Sequence, residues 1–209
     1  MIMFFNNHIN WNEYLKFGTR QFFKEKTVVY EQGTIGDGFY YVHKGLVKVI
    51  TSTIKESDRI LNIVVPGQLL GVQTMDRQVH FTTAITAKDS ILYYFSYEKF
   101  QELISLHPTL LNLFTKTVIQ KMHLLTEQIH LNTHSAEKQI ASILLNICYE
   151  FKNYEVLLTQ QDLVKCTGLT RITVYKILKQ WQKENIIDIH KRKFIITNPD
   201  LLRNYVINS

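Results

Sequence analysis

The spacing of hydrophobic and polar residues changes near Ser96. Before this residue, short segments rich in Val, Ile, Tyr, Phe and Thr alternate apolar with polar positions, as in VKVIT, which is typical of half-buried strands. Turn signals that contain glycine separate these segments, and short strands with frequent turns predict a compact barrel or roll. After a short helix at 10–17, the predicted strands are 27–31, 38–43, 46–51, 59–65, 80–86 and 90–95.

After Ser96 the spacing becomes helical. It predicts helices at 97–107, ended by Pro108, at 109–133 and at 137–151. In the long second helix, apolar residues recur three and four positions apart, which is the spacing of a coiled-coil seam. The seam residues are Leu111, Phe114, Val118, Met122, Leu125 and Ile129. We expect this seam to pair with a twin helix while a second apolar stripe packs on the roll. The alternative is a single core helix that is covered on both sides.

The segment LTQQDLVKCTGLTRITVYKILKQ predicts a helix-turn-helix. A short helix at 160–166 is interrupted at Gly168, because glycine tolerates the positive φ of a sharp turn. Thr170 then serves as the N-cap of a second helix, at about 170–181. A second helix with a polar and basic N-terminal face suits the major groove of DNA. The alternative is an ordinary pair of core helices joined by a glycine turn.

Basic residues concentrate in the same region. Two predicted strands, 186–190 and 193–197, enclose a basic turn as a β-hairpin wing, and a predicted helix at 201–206 follows. From Lys165 to Lys193 there are eight basic residues against two acidic ones, an excess equal to the net charge of the whole chain, +6. A localised basic patch indicates a polyanionic partner.

Composition narrows the class of protein. The chain has 209 residues, of which 45% are hydrophobic and 20% charged, as in ordinary soluble proteins. It has no apolar run long enough to cross a bilayer and no recognisable signal peptide, so we expect a cytoplasmic protein without membrane association. Cys148 and Cys166 lie in apolar helical contexts, where buried, reduced thiols are expected. We find no nucleophile elbow, P-loop or Cys/His metal spacing, which argues against an enzyme and against a metal site.

The order of a roll, a long helix and a basic winged helix-turn-helix resembles the cyclic-AMP receptor/Fnr family of bacterial transcription regulators. The resemblance rests on the roll glycines Gly33, Gly45, Gly67 and Gly71 and on the stretches FSYEKFQELISLHP, EKQIASILLNI and LTQQDLVKCTGLTRITVYKILKQWQKENII. It implies an α+β fold with an N-terminal cyclic-nucleotide-binding-like β-roll, a long dimerisation helix and a C-terminal winged helix-turn-helix. We therefore expect a sensor domain at 1–107, a dimerisation helix and hinge at 108–135, and a DNA-binding domain at 136–209.

The resemblance also assigns DNA contacts. Arg171 matches the recognition-helix arginine that reads guanine, and its planar fork suits guanine O6 and N7. The other expected DNA-binding residues are Gln161, Thr170, Thr173, Lys176, Lys179, Lys191 and Arg192. The family commonly carries a glutamate directly after the arginine, but here the residue is Ile172. A carboxylate can accept from cytosine N4, whereas isoleucine makes only apolar contacts, for instance with a thymine methyl. We therefore expect a half-site that differs from the usual one.

The effector end departs further from the family. Members that bind cyclic AMP use a glutamate for the ribose and an Arg-Ser pair for the phosphate, and these positions are Val72 and Phe81-Thr82 here. Cyclic AMP is therefore not expected. The resemblance places an effector pocket at Gly71, Val72, Phe81, Thr82, Thr83 and Leu125. An iron–sulfur cluster is not expected, because the two cysteines do not match the N-terminal set it needs. Haem is not expected either, because a lone strand histidine such as His80 is more often structural.

The sequence therefore predicts a transcription regulator that binds a palindromic operator as a homodimer. It is either constitutively active or gated by an effector other than cyclic AMP, and RNA polymerase is a further expected partner. The alternative is a small-molecule sensor module with a non-DNA output, which the roll alone would allow. His130 and His134, four residues apart on one helix face, could bind a metal, but a solvated face is the preferred interpretation and no metal site is predicted.

Overall fold

A computed structural model describes residues 11–52, 58–151, 153–190 and 193–207. The chain divides into two compact units, one ending at Leu124 and the other beginning at Leu125, so the division falls within the long helix. The first unit is rich in strands and the second in helices, which confirms the predicted α+β class. Within the described ranges, no helix combines the length and the apolar composition needed to cross a bilayer.

The first unit is an antiparallel β-roll with helices at its end. Its elements are a 3₁₀ helix, Asn12–Phe17; β1, Thr19–Phe23; β2, Val28–Tyr30; β3, Gly38–Thr51; β4, Arg59–Val64; β5, Leu69–Leu70; a 3₁₀ turn, Val72–Thr74; β6, Thr83–Ser96; α1, Tyr97–Leu106; and α2, Thr109–Leu131, which continues into the second unit. The strand order is β1-β6-β3-β4, with β2 paired to β6 and β5 paired to β3. The long strands β3 and β6 pair from Gly38 opposite Ser96 to Ile50 opposite Thr83.

The predicted breaks within the two long strands are wrong. The sequence predicts four separate strands where the structure has the continuous β3 and β6. Gly45 explains the error in β3: its φ is 120°, and a Cβ at this position would lie 2.0 Å from Ser90 Oγ. The register also shifts between Val42 and Val47. The glycine therefore lets β3 bulge closely against β6, so it bends a strand and does not end one.

Among the described residues of the roll, two clusters of buried side chains can be distinguished. The first core cluster joins the 3₁₀ helix, α1 and α2 to the sheet and is built around Trp11 and Phe39, whose ring centroids lie 5.6 Å apart. Trp11 Nε1 also donates to Thr117 Oγ1 on α2 at 3.4 Å. The second core cluster lies among the strands and consists of Tyr30, Val42, Val47, Val49, Val64, Leu70, Ala84 and Leu92. Much of the interior of the roll is thus occupied by its own side chains.

The second unit is a small helical domain with a three-stranded sheet. After the end of α2 its elements are α3, Ala136–Phe151; β7, Glu155–Val156; α4, Gln160–Thr167; α5, Arg171–Lys183; β8, Ile187–His190; β9, Lys193–Ile196; and α6, Pro199–Ile207. The strand order is β7-β9-β8, all antiparallel. The helices and the hairpin begin and end within two residues of the predicted positions. The predicted winged helix-turn-helix is confirmed.

Apolar side chains from every helix of the second unit form its core. Its fully buried side chains include Ile140, Leu144, Leu163, Val174, Leu178, Trp181, Phe194 and Leu202. Trp181 is the largest of them, and its ring lies 5.2 Å from that of Tyr205 on α6. Cys148 and Cys166 are buried free thiols, as predicted, and burial raises the pKa of Cys148 to about 11.

Candidate nucleic-acid interface

Local capping signals define both ends of the first helix of the helix-turn-helix. Thr159 Oγ1 accepts from the Asp162 backbone N–H at 3.1 Å, and Asp162 Oδ2 accepts from the Thr159 backbone N–H at 2.9 Å, which is a capping box. At the other end, Gly168 has a φ of 73°, and its N–H donates to the Val164 carbonyl at 2.8 Å. Gln161, a predicted phosphate contact, is exposed in the first turn. The two ends of α4 therefore set where α5 begins.

The second helix, α5, begins at the N-cap Thr170. Thr170 Oγ1 accepts from the Thr173 backbone N–H at 3.1 Å, and the two hydroxyl oxygens lie 2.9 Å apart. One face of α5 is held in the core by Val174, Ile177, Leu178 and Trp181. The two threonines predicted to contact phosphate thus also position the start of the helix.

Positive charge lies on the opposite face of α5. Arg171, Lys176 and Lys179 are all exposed. None of the three forms an ion pair with another residue in the described part of the chain. Their charges are therefore not compensated locally, and such a cluster raises the local concentration of a polyanion.

Two apolar side chains lie on the same exposed face. Ile172 is 67% exposed and Tyr175 is 52% exposed. Lys179 Nζ lies 5.6 Å from the centroid of the Tyr175 ring. Tyr175 was not among the predicted site residues, although its spacing of four from Arg171 places both residues on one helix face. That spacing is the signal that would have identified it.

Charged residues in the described part of the wing form ion pairs with acidic neighbours. Lys191 and Arg192, the predicted basic contacts of the wing, lie outside the described residues. Beside them, His190 Nε2 lies 2.6 Å from Asp188 Oδ2. A hydrogen bond from the backbone N–H of Ile189, and then the neighbouring His190, hold the pKa of Asp188 below its usual value. Lys193 forms an ion pair with Glu155 on β7.

At the predicted effector site, Gly71 faces a stacked pair of rings. Its φ is 79°, and a Cβ there would lie 3.5 Å from Tyr30 Cε1 and 3.7 Å from His80 Cε1. The Tyr30 and His80 rings are nearly parallel, with centroids 3.8 Å apart. Burial raises the pKa of Tyr30, against the opposing effect of the Thr82 and Gln73 side chains beside it. Gly71 and Thr82 therefore both lie next to this aromatic pair.

Other residues of the roll that were predicted to line the pocket lie away from the Tyr30–His80 pair. Val72 packs against the first core cluster, and Phe81 is 62% exposed. His80 and Thr82 are 6% and 8% exposed, whereas Phe81 between them faces outward in the bend that precedes β6. Thr83 is half-buried and accepts the backbone N–H of Gln32 at 3.0 Å. Gly71 and Thr82 thus lie beside the aromatic pair, whereas Val72 and Phe81 lie elsewhere.

A half-buried lysine lies near the same turn and was not predicted. Lys121 Nζ on α2 donates to the Leu69 carbonyl at 3.5 Å, two residues before Gly71. Burial lowers the pKa of Lys121 to about 8. In the sequence, Lys121 looks like any lysine of an amphipathic helix, because its burial depends on which face of α2 the strands cover.

Most of the predicted seam on α2 is exposed. Exposed apolar side chains on this helix are Leu111, Ile119, Met122, Leu125 and Ile129, and Val118 is half-buried. Phe114 was placed in the seam, but its ring packs against the first core cluster, with a centroid 4.8 Å from that of Phe100. The reason is its position on the helix, between the seam and the buried stripe of Leu110 and Thr117.

The two histidines near the end of α2 lie side by side. The His130 and His134 ring centroids are 4.8 Å apart and the rings are almost perpendicular. Within the described ranges, no group of three or more His, Cys, Asp or Glu side chains is arranged to hold a metal ion.

Two domain models match the chain, one in each half. The model of the cyclic nucleotide-binding domain matches residues 20–107, which are the strands of the roll and α1. The model of the Crp-like helix-turn-helix domain matches residues 138–205, from α3 to α6. The match in the second half includes the capped helix pair and the basic face of α5.

Known proteins align along most of the chain. The cAMP-activated global transcriptional regulator CRP of Salmonella typhimurium is 24% identical over 183 residues, which cover 83% of this chain and 87% of that protein. The fumarate and nitrate reduction regulatory protein of Yersinia pestis is 22% identical over 178 residues, with coverages of 78% and 68%. A solved CRP-family regulator from Thermus thermophilus has a TM-score of 0.79 at 18% identity and covers 89% of this chain and 96% of its own. With both domain matches in the order that these regulators share, the chain belongs to the CRP/FNR family of DNA-binding transcription regulators.

Proposed function

We propose that this regulator binds a palindromic operator as a homodimer, with Arg171 of each subunit reading a guanine in the major groove. The observation that carries the proposal is the uncompensated basic face of α5, which begins at the Thr170 cap. Lys176 and Lys179 supply further positive charge along the groove. Thr170, Thr173 and Gln161 at the turn, and Lys191 and Arg192 of the wing, are proposed to contact phosphates.

The exposed apolar stripe of α2 supports the homodimer. Leu111, Met122 and Ile129 recur along one face over more than four helical turns, and water would have to hydrate that face in a monomer. Pairing with the same stripe of a second copy removes it from water and creates a two-fold axis. Two recognition helices related by that axis would enter major grooves about 34 Å apart.

We propose that DNA binding does not require cyclic AMP. Val72 and Phe81 have no ionisable group, so neither supplies the carboxylate or the cation that the ribose and the cyclic phosphate need. The regulator is then either constitutively active or gated by an effector of other chemistry. It acts in the cytoplasm with RNA polymerase as its partner, as suits a regulator of transcription with two buried free thiols.

The test of DNA reading is selection of bound sequences from random duplex DNA with the purified protein and no added ligand. We expect a two-fold symmetric sequence with half-site centres about one helical turn apart and a guanine in each half. Binding of the selected duplex should be unchanged by cyclic AMP. Failure to enrich any sequence, with and without added cell extract, would contradict the proposal.

The test of the homodimer is the substitution Met122→Glu in the exposed stripe. It would place two like charges close to the two-fold axis, so we expect monomers by sedimentation and a loss of binding to the full operator. Asn112→Glu is the matched control, since Asn112 is exposed on the same helix about 100° around from Leu111. A dimer that survives Met122→Glu would rule out this face as the seam.

A further inference from the structure

The exposed apolar pair on α5, Ile172 and Tyr175, lies outside the core of the second unit. The core side of the helix is already filled by Val174, Ile177, Leu178 and Trp181. Ile172 and Tyr175 instead remain mostly exposed, three positions apart and therefore adjacent on one face. Water solvates both side chains poorly, so a partner that covers them would gain from their burial.

Cationic residues flank this apolar pair. Arg171 directly precedes Ile172, and Lys176 directly follows Tyr175. Lys179 Nζ lies 5.6 Å from the Tyr175 ring, close enough for a cation–π contact. The surface that α5 offers to DNA is therefore an apolar centre with a positive rim, rather than a uniformly polar face.

The major groove offers few partners for an apolar centre. Its base edges present hydrogen-bond donors and acceptors, and the group that is apolar is the methyl on C5 of a pyrimidine. Thymine carries this methyl, and 5-methylcytosine carries the same group on another base. A branched aliphatic side chain and the edge of an aromatic ring can both cover a methyl group without leaving a polar atom unpaired.

We propose that Ile172 and Tyr175 together form a reader of pyrimidine C5-methyl groups, next to the guanine contacted by Arg171. This inference rests on the proposed function, because it applies to the same DNA-bound helix. In each half-site it predicts one or two thymines beside that guanine. Discrimination of thymine from cytosine there comes from burial of a methyl group rather than from a carboxylate that accepts a cytosine N4 proton.

The test starts from the sequence selected with random duplexes and replaces each thymine in turn by deoxyuridine, which removes the methyl and keeps every hydrogen-bonding group. Burial of one methyl is worth about a four-fold change in affinity, so a symmetric pair of replacements should weaken binding by about 15-fold. A second experiment replaces the same thymine·adenine pair, first by cytosine·guanine and then by 5-methylcytosine·guanine. Recovery with 5-methylcytosine identifies the methyl itself as the group that is read.

Two variants test whether Ile172 and Tyr175 are the side chains that read the methyl group. Ile172→Ala and Tyr175→Ala should each weaken binding to the thymine operator and reduce the ratio between thymine and deoxyuridine toward one. Arg203→Ala is the control, since Arg203 is exposed in the same unit but is paired with Asp200 on α6, and it should leave the ratio unchanged. If the protein selects an operator and deoxyuridine has no effect at any position, the reader is refuted while the proposed function stands. If no operator is selected, the proposed function itself has failed.

Discussion

The side chains exposed on α5 come from one continuous helix, whereas those around Gly71 come from separate strands and turns of the roll. On α5, positions three and four apart share a face, so Arg171, Tyr175 and Lys179 face solvent together. Around Gly71, neighbours in sequence differ sharply in burial, as the buried His80 and the exposed Phe81 do. The side chains of a site on a single helix therefore keep their relative positions when individual residues change. A site formed between strands depends on the pairing register of each strand.

Loss of a core aromatic tests whether the two units are equally well packed. Trp181→Ala should lower the stability of the second unit by about 3–5 kcal/mol, because a large buried ring leaves a cavity. Phe39→Ala should cost the roll a similar amount. Hydrogen exchange of peptides from α5 and from β3 measures each loss separately. Ile207→Ala, at an exposed position, should change exchange very little.

Removal of the proposed guanine reader tests how far the function depends on a single side chain of α5. Arg171→Ala should weaken binding to the selected operator by roughly 1–3 kcal/mol and relax the preference at one base pair. Titration of labelled duplexes, each with one base pair changed, gives both quantities. Arg77→Ala, an exposed arginine of the roll, is the control and should leave both unchanged. An unchanged preference in Arg171→Ala would mean that α5 is placed differently on DNA.

The half-buried amine of Lys121 tests how much its partial desolvation lowers the stability of the roll. Its pKa of about 8 lies below the ordinary 10.5, so folding disfavours the protonated form. The penalty is complete below pH 8 and is relieved as the pH rises toward 10.5. Lys121→Met should therefore be more stable than the wild type by on the order of 1–2 kcal/mol at pH 7, and the difference should shrink between pH 8 and 10.5.

Urea denaturation at a series of pH values measures this difference. Lys116→Met, at an exposed position of the same helix, is the control and should show no such trend. A difference that stays constant from pH 7 to 10.5 would mean that the Lys121 amine is hydrated in solution.

The smallest expected loss of stability is at two glycines, Gly71 and Gly168, that share a left-handed conformation. Gly71→Ala and Gly168→Ala should each cost about 1 kcal/mol, because both positions have φ values that alanine adopts with strain. Only Gly168→Ala should also weaken operator binding, since Gly168 ends α4 just before the recognition helix. Thermal unfolding and operator titration of both variants separate the two effects. Equal losses of affinity would mean that the turn at Gly71 influences DNA binding as strongly as the turn at Gly168 within the helix-turn-helix.

The helices and the wing could be predicted from the sequence, because their apolar period and their caps are local properties. Thr159, Gly168 and Thr170 each lie at the helix end that their chemistry favours. The short strands β1, β5 and β7 were not among the predicted strands, since short segments carry little periodicity. The wing contacts at Lys191 and Arg192 stay predictions.

The effector region could not be predicted because its contacts are long-range. The stacking of Tyr30 on His80 joins residues 50 positions apart, and the burial of Lys121 depends on a strand more than 50 positions away. The sequence predicts a turn at Gly45, because a glycine that ends a strand and one that permits a bulge look alike in sequence. Ser90, which crowds it, is known only once the register of β3 and β6 is known.

The burial of the Cys148 thiol determines how readily this residue is oxidised. Because burial raises the pKa of Cys148 to about 11, very little of the reactive thiolate is present at pH 7. The thiolate is the form that attacks peroxide, so oxidation at this position should be slow compared with that of an ordinary exposed cysteine. The side chain lies in α3, within the unit that carries α5. The part of the molecule that contacts DNA should therefore tolerate an oxidative burst without chemical damage at this cysteine.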